Sequence, residues 1–450
     1  MRDIMIIHRH ISGRLVNWKD KPSRKPLILQ GVRQVGKTWL LKHFGSAYFE
    51  DTAYFNFEKQ KELSQFFSST RDPDRIIDNL ALVHGKAILP QKTLIIFDEI
   101  QECNEALNSL KYFCEERPDY VIACAGSLLG VAMSRGSSFP VGKVDFLQLH
   151  PVTFSEFLAS AAPELHSYLE QMDKVEPIPD IFFNPLCEQL KKYFISGGMP
   201  EAVVKLLDES DIAGTQDVLQ SIINAYLLDF SKHVENKDIP RINFIWKSLP
   251  SQLARENKKF IYQAVRPGAR AREYEDALLW LINAGLAIRV NCSARAFIPL
   301  AGYDDLTAFK IYLPDVGVLR RLSLLDPVAI TEGNRLFTEF KGSLTENFVL
   351  SGLLAQFEVV PRYWRSGNTA EVDFLLQHEN SIIPVEVKSD ENIRSKSLAF
   401  YRKEYHPPLS IRFSLRNLKL DDGLINIPLF MVDYTGKLIR HFNEDLSANQ

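Results

Sequence analysis

The chain is 450 residues long, 46% hydrophobic and 24% charged, a composition ordinary for a soluble globular protein and too long for one core, so two to four domains are expected. Lys and Arg total 53 against 56 Asp and Glu, and the net charge of −3 excludes a global basic field as the means of holding nucleic acid. Five scattered cysteines, Cys103, Cys114, Cys124, Cys187 and Cys292, form no C-x-x-C pair, which argues against a disulfide framework or zinc site and for a reducing compartment. The apolar run Ile4-Met-Ile-Ile7 is too short for a signal peptide, and no stretch has the length to span a bilayer. A cytoplasmic protein with no membrane partner is expected.

In chain order, a helix is expected over Ile11 to Trp18, then the basic link Lys19-Asp-Lys-Pro-Ser-Arg-Lys25. Leu27, Ile28 and Leu29 read as a short buried strand. Gly31-Val-Arg-Gln-Val-Gly36-Lys37-Thr38 then matches Gly-x-x-x-x-Gly-Lys-Ser/Thr in full, ahead of an amphipathic helix. Phosphate chemistry accounts for these residue types. Gly31 and Gly36 let the loop, Gln34 and Val35 included, turn its N–H groups onto the polyphosphate of ATP. Lys37 carries a cation to the β- and γ-phosphates, Thr38 a hydroxyl to Mg²⁺, and the helix N-terminus adds its dipole. An ordinary glycine turn before a helix is the competing reading, disfavoured because strand, loop and helix are all in place.

Ala53 to Glu58 reads as a second strand and Arg75 to Leu82 as a helix. Thr93-Leu-Ile-Ile-Phe-Asp98-Glu99-Ile-Gln101 is an apolar run ending in two acids, where α/β ATPases place catalytic groups. Asp98 is expected to hold Mg²⁺ through water, and Glu99 to polarise the attacking water as general base. Tyr120 to Ala125 is a buried strand ending at Gly126-Ser127. Pairing with the acidic strand would bring the Ser127 hydroxyl near the γ-phosphate; a plain Gly-Ser turn reads equally well. Gly136-Ser-Ser-Phe-Pro-Val-Gly-Lys143, a last strand over Val144 to Leu149, and a helix opened by Pro151-Val-Thr-Phe-Ser-Glu-Phe157 follow.

Residues 158–235 are helical in pattern, broken by Gly197-Gly198-Met199-Pro200. Over 241–300 the balance shifts: Arg241, Lys247, Arg255, Lys258, Lys259, Arg266, Arg270, Arg272, Arg289 and Arg295 face four acids, Glu256, Glu273, Glu275 and Asp276. Helices over 241–255 and 271–284 precede alternating Leu286 to Val290 and Ala308 to Leu313, the order of a winged helix. A basic winged helix points to DNA. A solvated basic face on an interdomain module is the nearly even alternative.

Gly342 to Leu354 is a helix whose Glu346 shares a face with Val349, Leu350 and Leu353, so its carboxylate points inward and needs a partner. Ala370 to Gln377 turns through His378-Glu-Asn-Ser381, a four-residue loop, into Ile382-Ile-Pro-Val-Glu386-Val-Lys388. That register sets Asp373 opposite Glu386, and alternation puts Glu386 and Lys388 on one face. Two opposed acids repel unless a cation sits between them, and hard oxygen ligands favour Mg²⁺ or Mn²⁺. The set resembles the PD-(D/E)xK nucleases. That resemblance places Asp373 and Glu386 on metal, with Lys388 positioning the attacking water and Glu346 supporting from the helix. Simple solvation of an exposed strand face, or a nuclease fold kept only for binding, is the alternative.

The motifs together resemble the AAA+ ATPases, specifically the uncharacterised prokaryotic group that joins an AAA core to a C-terminal domain of unknown function. Gly31–Thr38, Phe97-Asp-Glu-Ile-Gln101, Gly126-Ser127 and Pro151–Phe157 carry the match. So do Gly197-Gly-Met-Pro-Glu201, Trp364–Phe374 and Pro384-Val-Glu-Val-Lys388. Gly142-Lys143 stands where that group usually has Gly-Arg, and a lysine lacks the planar fork that clamps a transferring phosphoryl group, which argues against ring-type activation in trans; Glu201 stands where related ATPases often have arginine, so no sensor arginine is assigned.

The expected fold is α/β: a P-loop AAA+ parallel-sheet core (1–157), a helical lid (158–235), a winged-helix-like domain (236–330) and a PD-(D/E)xK-like domain (331–450). The leading expectation is an ATP-hydrolysing protein, possible as a homo-oligomer, that couples nucleotide state to DNA binding or cleavage. The alternative is an ATP-gated switch or interaction protein with an inert nuclease fold.

Overall fold

The computed structural model describes residues 5–127, 139–234, 236–255, 258–332, 338–367, 370–389 and 395–448. Gly136 to Ser138, Glu256 and the Asn368-Thr369 pair lie outside the described residues. Two compact units divide the chain: His8–His150 with Asn283–Leu286, and Met1–Ile7 with Pro151–Ile282 and Ala287–Gln450.

In the first unit, β1 (Leu27–Gln30), β2 (Asp51–Asn56), β3 (Thr93–Asp98), β4 (Val121–Ala125) and β5 (Asp145–Gln148) form an all-parallel sheet in the order β2-β3-β4-β1-β5. Leu27–Leu29, Leu94–Phe97 and Val121–Ala125 are buried without a break, as strands covered on both faces must be. On one face Phe57 and Phe67 meet Phe97 edge-on, with ring centroids 5.6 and 5.7 Å away, over Leu80, Leu107, Leu110 and Phe113. The acidic strand β3 lies beside β4, with Asp98 opposite Ala125, and β1 lies on the far side of β4. All three strands therefore open at one edge of the sheet, where ligands bind in such folds.

The second unit begins with the helices Phe154–Ala161, Pro163–Gln171, Asp180–Ser196, Pro200–Glu209 and Ile212–His233. Thr153 caps the first in a reciprocal box with Glu156. The unit also holds an eight-stranded mixed sheet. Its strands are β6 (Ile288–Ser293), β7 (Asp304–Tyr312), β8 (Arg362–Ser366), β9 (Ala370–His378), β10 (Ser381–Val387), β11 (Ser410–Ser414), β12 (Lys419–Asp421) and β13 (Leu424–Pro428). They lie in the order β12-β13-β11-β10-β9-β8-β6-β7. The helix Lys396–Tyr405 covers β8 and β9, with Tyr401 edge-on to Trp364 at 5.1 Å and Phe400 stacked on it at 6.2 Å.

This grouping differs from the four stretches expected from sequence. The Pro151–Phe157 segment packs in the second unit because Val152 and Ser155 are tied there: the Val152 N–H donates to the Gly198 carbonyl (2.7 Å) and the Ser155 N–H to Asp433 (2.7 Å). The helices over 239–253 and 271–283 form as expected. However, β6 and β7 are not a free-standing wing, because β6 also pairs in parallel with β8, Cys292 opposite Tyr363. That pairing covers one open side of the β6–β7 pair, and β7 remains at the edge of the sheet. The hairpin β9–β10 turns through two residues, Glu379 and Asn380, rather than four, since Ser381 pairs His378. The register is nonetheless the expected one: Gln377 pairs Ile382 and Phe374 pairs Val385, which brings Asp373 to Glu386.

The Gly197-Gly198 pair is where three segments cross. A Cβ on Gly198 would fall on the Val152 carbonyl oxygen, and one on Gly197 on the Asp315 carboxylate and the Gly317 backbone. Asp315 is buried, accepts from the Gly198 N–H (2.6 Å) and the Val318 N–H (2.8 Å), and is pushed up to about 6 by that burial. Beside it, the buried Arg320 donates to the Ile195 carbonyl (2.9 Å) and Gln216 (2.7 Å).

Gly198→Ala is expected to cost roughly 2 kcal/mol or more through backbone displacement. The measurement is a Tm drop of several degrees in a thermal melt; an unchanged Tm would mean the junction yields freely. A second expectation concerns Asp433, buried against the N-terminus of the helix Phe154–Ala161, near Glu156 and Tyr434. Burial pushes it up to about 7 despite the Ser155 N–H. The native state then holds a proton that the unfolded chain releases near pH 4, so this contribution is complete at low pH and is lost as pH rises toward 7. Asp433→Asn should reduce the fall in Tm between pH 5 and pH 8, and an unaltered pH slope would refute the assignment.

Candidate functional site

The first centre lies at the open edge of the parallel sheet. Gly36 is the N-cap of the helix Lys37–Tyr48 with φ +95°, a left-handed conformation that favours glycine. Gly31 is required for a different reason: a Cβ there would fall on the Leu149 carbonyl oxygen. Gln34 also takes a positive φ of 65°, and the buried Val35 donates its N–H to the Val32 carbonyl (3.3 Å). Arg9, absent from the sequence reading, is buried and donates to the carbonyls of Val35 (3.3 Å) and His150 (2.6 Å).

Lys37 turns back into this loop, donating to the carbonyls of Gly31 (2.7 Å) and Val32 (3.0 Å). Burial pushes its ammonium down to about 8, against the pull of Glu99 and Asp98. A buried ammonium bonded to two neutral carbonyls is a place suited to an anion. Thr38 donates its hydroxyl to both carboxylate oxygens of Asp98, each at 3.0 Å. Asp98 is buried and also accepts from the Tyr54 hydroxyl (2.6 Å) and Asn56 (3.2 Å), both on the neighbouring β2. Burial and the Asp98 bond push Tyr54 up to about 12, which keeps it a donor. The Thr38 hydroxyl and Asp98 carboxylate are hard oxygen donors at one point, and they fit Mg²⁺ on a phosphate.

Glu99 follows with φ 50° and ψ 45°, which turns it away from the strand. It accepts from Gln101 (2.6 Å) and from the Ser127 hydroxyl (3.4 Å), so the two acids and Ser127 are brought together. Lys143, at the position where the resembling ATPases usually carry arginine, pairs with Glu115 at 2.8 Å.

The second centre lies where the hairpin β9–β10 meets the helix Thr338–Phe357. Glu346, Asp373, Glu386 and Lys388 converge, and Glu386 is buried rather than displayed on an exposed strand face. The inward-pointing Glu346 finds its partners on other elements than the hairpin: it pairs with Lys258 and accepts from the Tyr312 hydroxyl (3.0 Å). Burial alone would raise Glu346, but Lys258 and Lys310 hold it below its ordinary value. Glu386 pairs with Lys388 (2.7 Å) and accepts from Ser395 (2.8 Å) through Oε1, while its buried Oε2 has no hydrogen-bond partner among the described residues. Lys310, fully buried on β7, pairs with Glu371 (2.6 Å) and lies 4.7 Å from the Tyr363 ring centre.

Asp373 accepts the Val387 N–H (2.8 Å). Burial, then the charges of Glu346 and Glu386, hold it well above the usual carboxylate range. Lys258, Lys310 and Lys388 bring positive charge to the same acids, pairing with Glu346, Glu371 and Glu386. Among the described residues no group of three His, Cys, Asp or Glu is arranged to hold a metal ion. Of the ten basic residues in 241–300, Lys258 is engaged here and Arg289 stacks on Phe309 (4.1 Å). Lys247, Arg255, Arg266, Arg270, Arg272 and Arg295 are exposed. Among the described residues no helix is long and apolar enough to cross a membrane.

The loop, the acidic strand end and the strand order define a P-loop nucleotide-binding domain. Residues 23–158 match a family model described as an AAA domain, and this part of the chain is an AAA-type P-loop ATPase domain. Residues 187–329 match a domain of unknown function (DUF8612) and 341–431 another (DUF4143). No curated protein matches the chain. Among solved structures, a Walker-type ATPase of Pyrococcus abyssi is similar at 16% identity and TM-score 0.46, covering 70% of this chain and 96% of that one. The Aeropyrum pernix ORC1 protein, solved in complex with DNA, is similar at 15% identity and TM-score 0.26, covering 73% and 95%. The Thermotoga maritima RuvB Holliday junction branch migration motor is similar at 14% identity and TM-score 0.29, covering 63% and 90%.

Proposed function

We propose that the chain binds and hydrolyses ATP and uses its nucleotide state to control nucleic-acid engagement by the second unit. The observation that carries the ATPase reading is the meeting of Thr38 with Asp98 at 3.0 Å, with Lys37 buried in the loop and Glu99 within reach of Ser127. Backbone N–H groups of Gly31 to Gly36 and the Lys37 ammonium would take the phosphates, displacing the lysine from its two carbonyls. Thr38 and Asp98 would hold Mg²⁺, which supplies neutralisation of charge on the transferring phosphoryl group. Glu99 would accept the proton of the attacking water.

Lys37→Ala should remove measurable nucleotide binding in a calorimetric titration. Glu99→Gln should retain binding and slow phosphate release by about 100-fold or more, since an amide cannot take the water's proton. Undiminished turnover in Glu99→Gln would assign the base elsewhere.

For the second unit, the leading reading is a PD-(D/E)xK-like site in which Asp373 and Glu386 bind Mg²⁺ or Mn²⁺, Glu346 supports them and Lys388 orients water. It is supported by the convergence of these four side chains and by the unpartnered, buried Glu386 Oε2. The ion pair of Lys258 with Glu346 favours the rival, an inert nuclease fold serving an ATP-gated switch. Plasmid nicking by the full chain with Mg²⁺ or Mn²⁺, lost in Asp373→Asn and in Lys388→Ala, separates the two. DNA engagement is assigned to the exposed cations of 241–300. Reversing Arg270 and Arg272 to Glu should lower the slope of log affinity against log salt by about 2 for duplex DNA. An unaltered slope would place the phosphate contacts elsewhere.

A further inference from the structure

A chain of aromatic rings runs along the second unit where β8 and β9 meet the helix Lys396–Tyr405. Phe297, in the loop after β6, lies 6.1 Å from Tyr405 and 5.9 Å from Tyr303. Tyr405 lies 5.7 Å from Trp364, and Phe400 stacks on that same indole at 6.2 Å with 24° between the planes. Trp364 and Tyr401 are buried in a small core with Leu300, Val372 and Leu375, which backs these rings. The two end rings stay uncovered: Phe297 is 51% exposed and Phe400 44%. Single exposed apolar residues are common, but two aromatics linked through a buried indole make a patch. Its rim is basic. Lys396, Phe400 and Lys403 stand four and three residues apart, on one face of the helix, and all three are exposed. Arg295 is exposed two residues before Phe297. Among the described residues none of these three cations takes part in an ion pair. Arg402 of the same helix is paired with Asp422, and Glu404 is the helix's only acid.

We propose that this patch is a stacking platform for single-stranded nucleic acid: Phe297 and Phe400 take unpaired bases on their faces, while Arg295, Lys396 and Lys403 meet the phosphates. The proposal deepens, and rests on, the reading that the second unit engages nucleic acid. The combination of groups selects this occupant. Aromatic faces with unpaired cations beside them suit a ligand that is flat and apolar in one part and anionic in the next, repeated along its length. Duplex DNA hides its base faces in the stack, so the rings would gain nothing from it. A second copy of this chain would set the patch against itself, cation facing cation. Stacking tolerates any base, because each has a π-face, so the platform reads no sequence. Phe400 rests on a buried indole and Phe297 on two tyrosines, so both rings are held before a base arrives, which lowers the ordering cost of binding.

The test is fluorescence anisotropy of a labelled oligothymidylate of about 20 nucleotides, longer than a single stacking groove covers. It is titrated with the full chain, with and without ATP, and a blunt duplex of similar length is the comparison. Phe297→Leu and Phe400→Leu keep apolar bulk and remove the ring. Each should weaken oligothymidylate binding on the order of tenfold and leave duplex binding unchanged. Phe400→Trp should retain the single-strand affinity. Lys396→Gln combined with Lys403→Gln should lower the slope of log affinity against log salt by about 1 for the single strand. A thermal melt checks that each variant is folded; if Phe400→Leu is not, Phe297→Leu carries the comparison. Unchanged oligothymidylate affinity in the leucine variants would overturn the platform, and duplex binding that depends on Arg270 and Arg272 would leave nucleic-acid engagement standing. Absence of binding to either probe would overturn both readings. A concentration-dependent dimer in sedimentation that Phe297→Ala dissolves, with oligothymidylate affinity unaltered, would assign the patch to a second copy instead.

Discussion

A carboxylate buried at the end of a strand is the constraint around which the first unit is built. Asp98 is 4% exposed, and a charge withdrawn from water to that degree must be met by hydrogen bonds or a cation. Thr38, Tyr54 and Asn56 meet it, one from the helix after the phosphate loop and two from the adjacent strand β2. The consequence is geometric: the loop cannot shift against β3 without leaving that carboxylate short of donors. The parallel sheet supplies the rest, since buried apolar runs on β1, β3 and β4 fix where their C-terminal ends emerge.

The second unit handles buried charge in another way. Glu346, Glu371 and Glu386 pair with Lys258, Lys310 and Lys388, which come from the segment after Leu253, from β7 and from the end of β10, and Asp373 lies within the influence of Glu346 and Glu386. Lys258 and Lys310 hold Glu346 below its ordinary value, whereas burial and the charges of Glu346 and Glu386 push Asp373 well above the usual carboxylate range. This charge arrangement depends on β6 and β7 joining the C-terminal sheet, because Lys310 and Tyr312 are β7 residues. A middle segment folded as a separate module would leave Glu346 buried without two of the groups that stabilise it.

The Gly197-Gly198 turn shows how backbone space, not side-chain chemistry, can fix a motif. Val152, Asp315 and Gly317 approach so closely that no Cβ fits at either glycine. The same crossing carries the buried Asp315 and Arg320, whose hydrogen bonds join the helix Asp180–Ser196 to the segment before β8. The segment Pro151–Phe157 is held here through Val152 and through Ser155 on Asp433.

The sequence alone determined what is local or periodic. The phosphate loop is contiguous, so Gly31 to Thr38 could be read as one motif, and the unbroken apolar run before Asp98 marked a strand buried on both faces. The hairpin register followed from counting, because each cross-strand pair keeps a constant sum, and a shorter turn left that sum unchanged. Tertiary structure alone decided which distant groups answer each buried charge. Tyr54 and Asn56 lie 44 and 42 residues from Asp98, and Lys258 lies 88 from Glu346. No spacing rule links such positions, since their meeting depends on strand order and on one sheet absorbing the strands of another segment. Lys258 read as one more surface cation in a basic stretch; only burial beside a carboxylate made it part of a site.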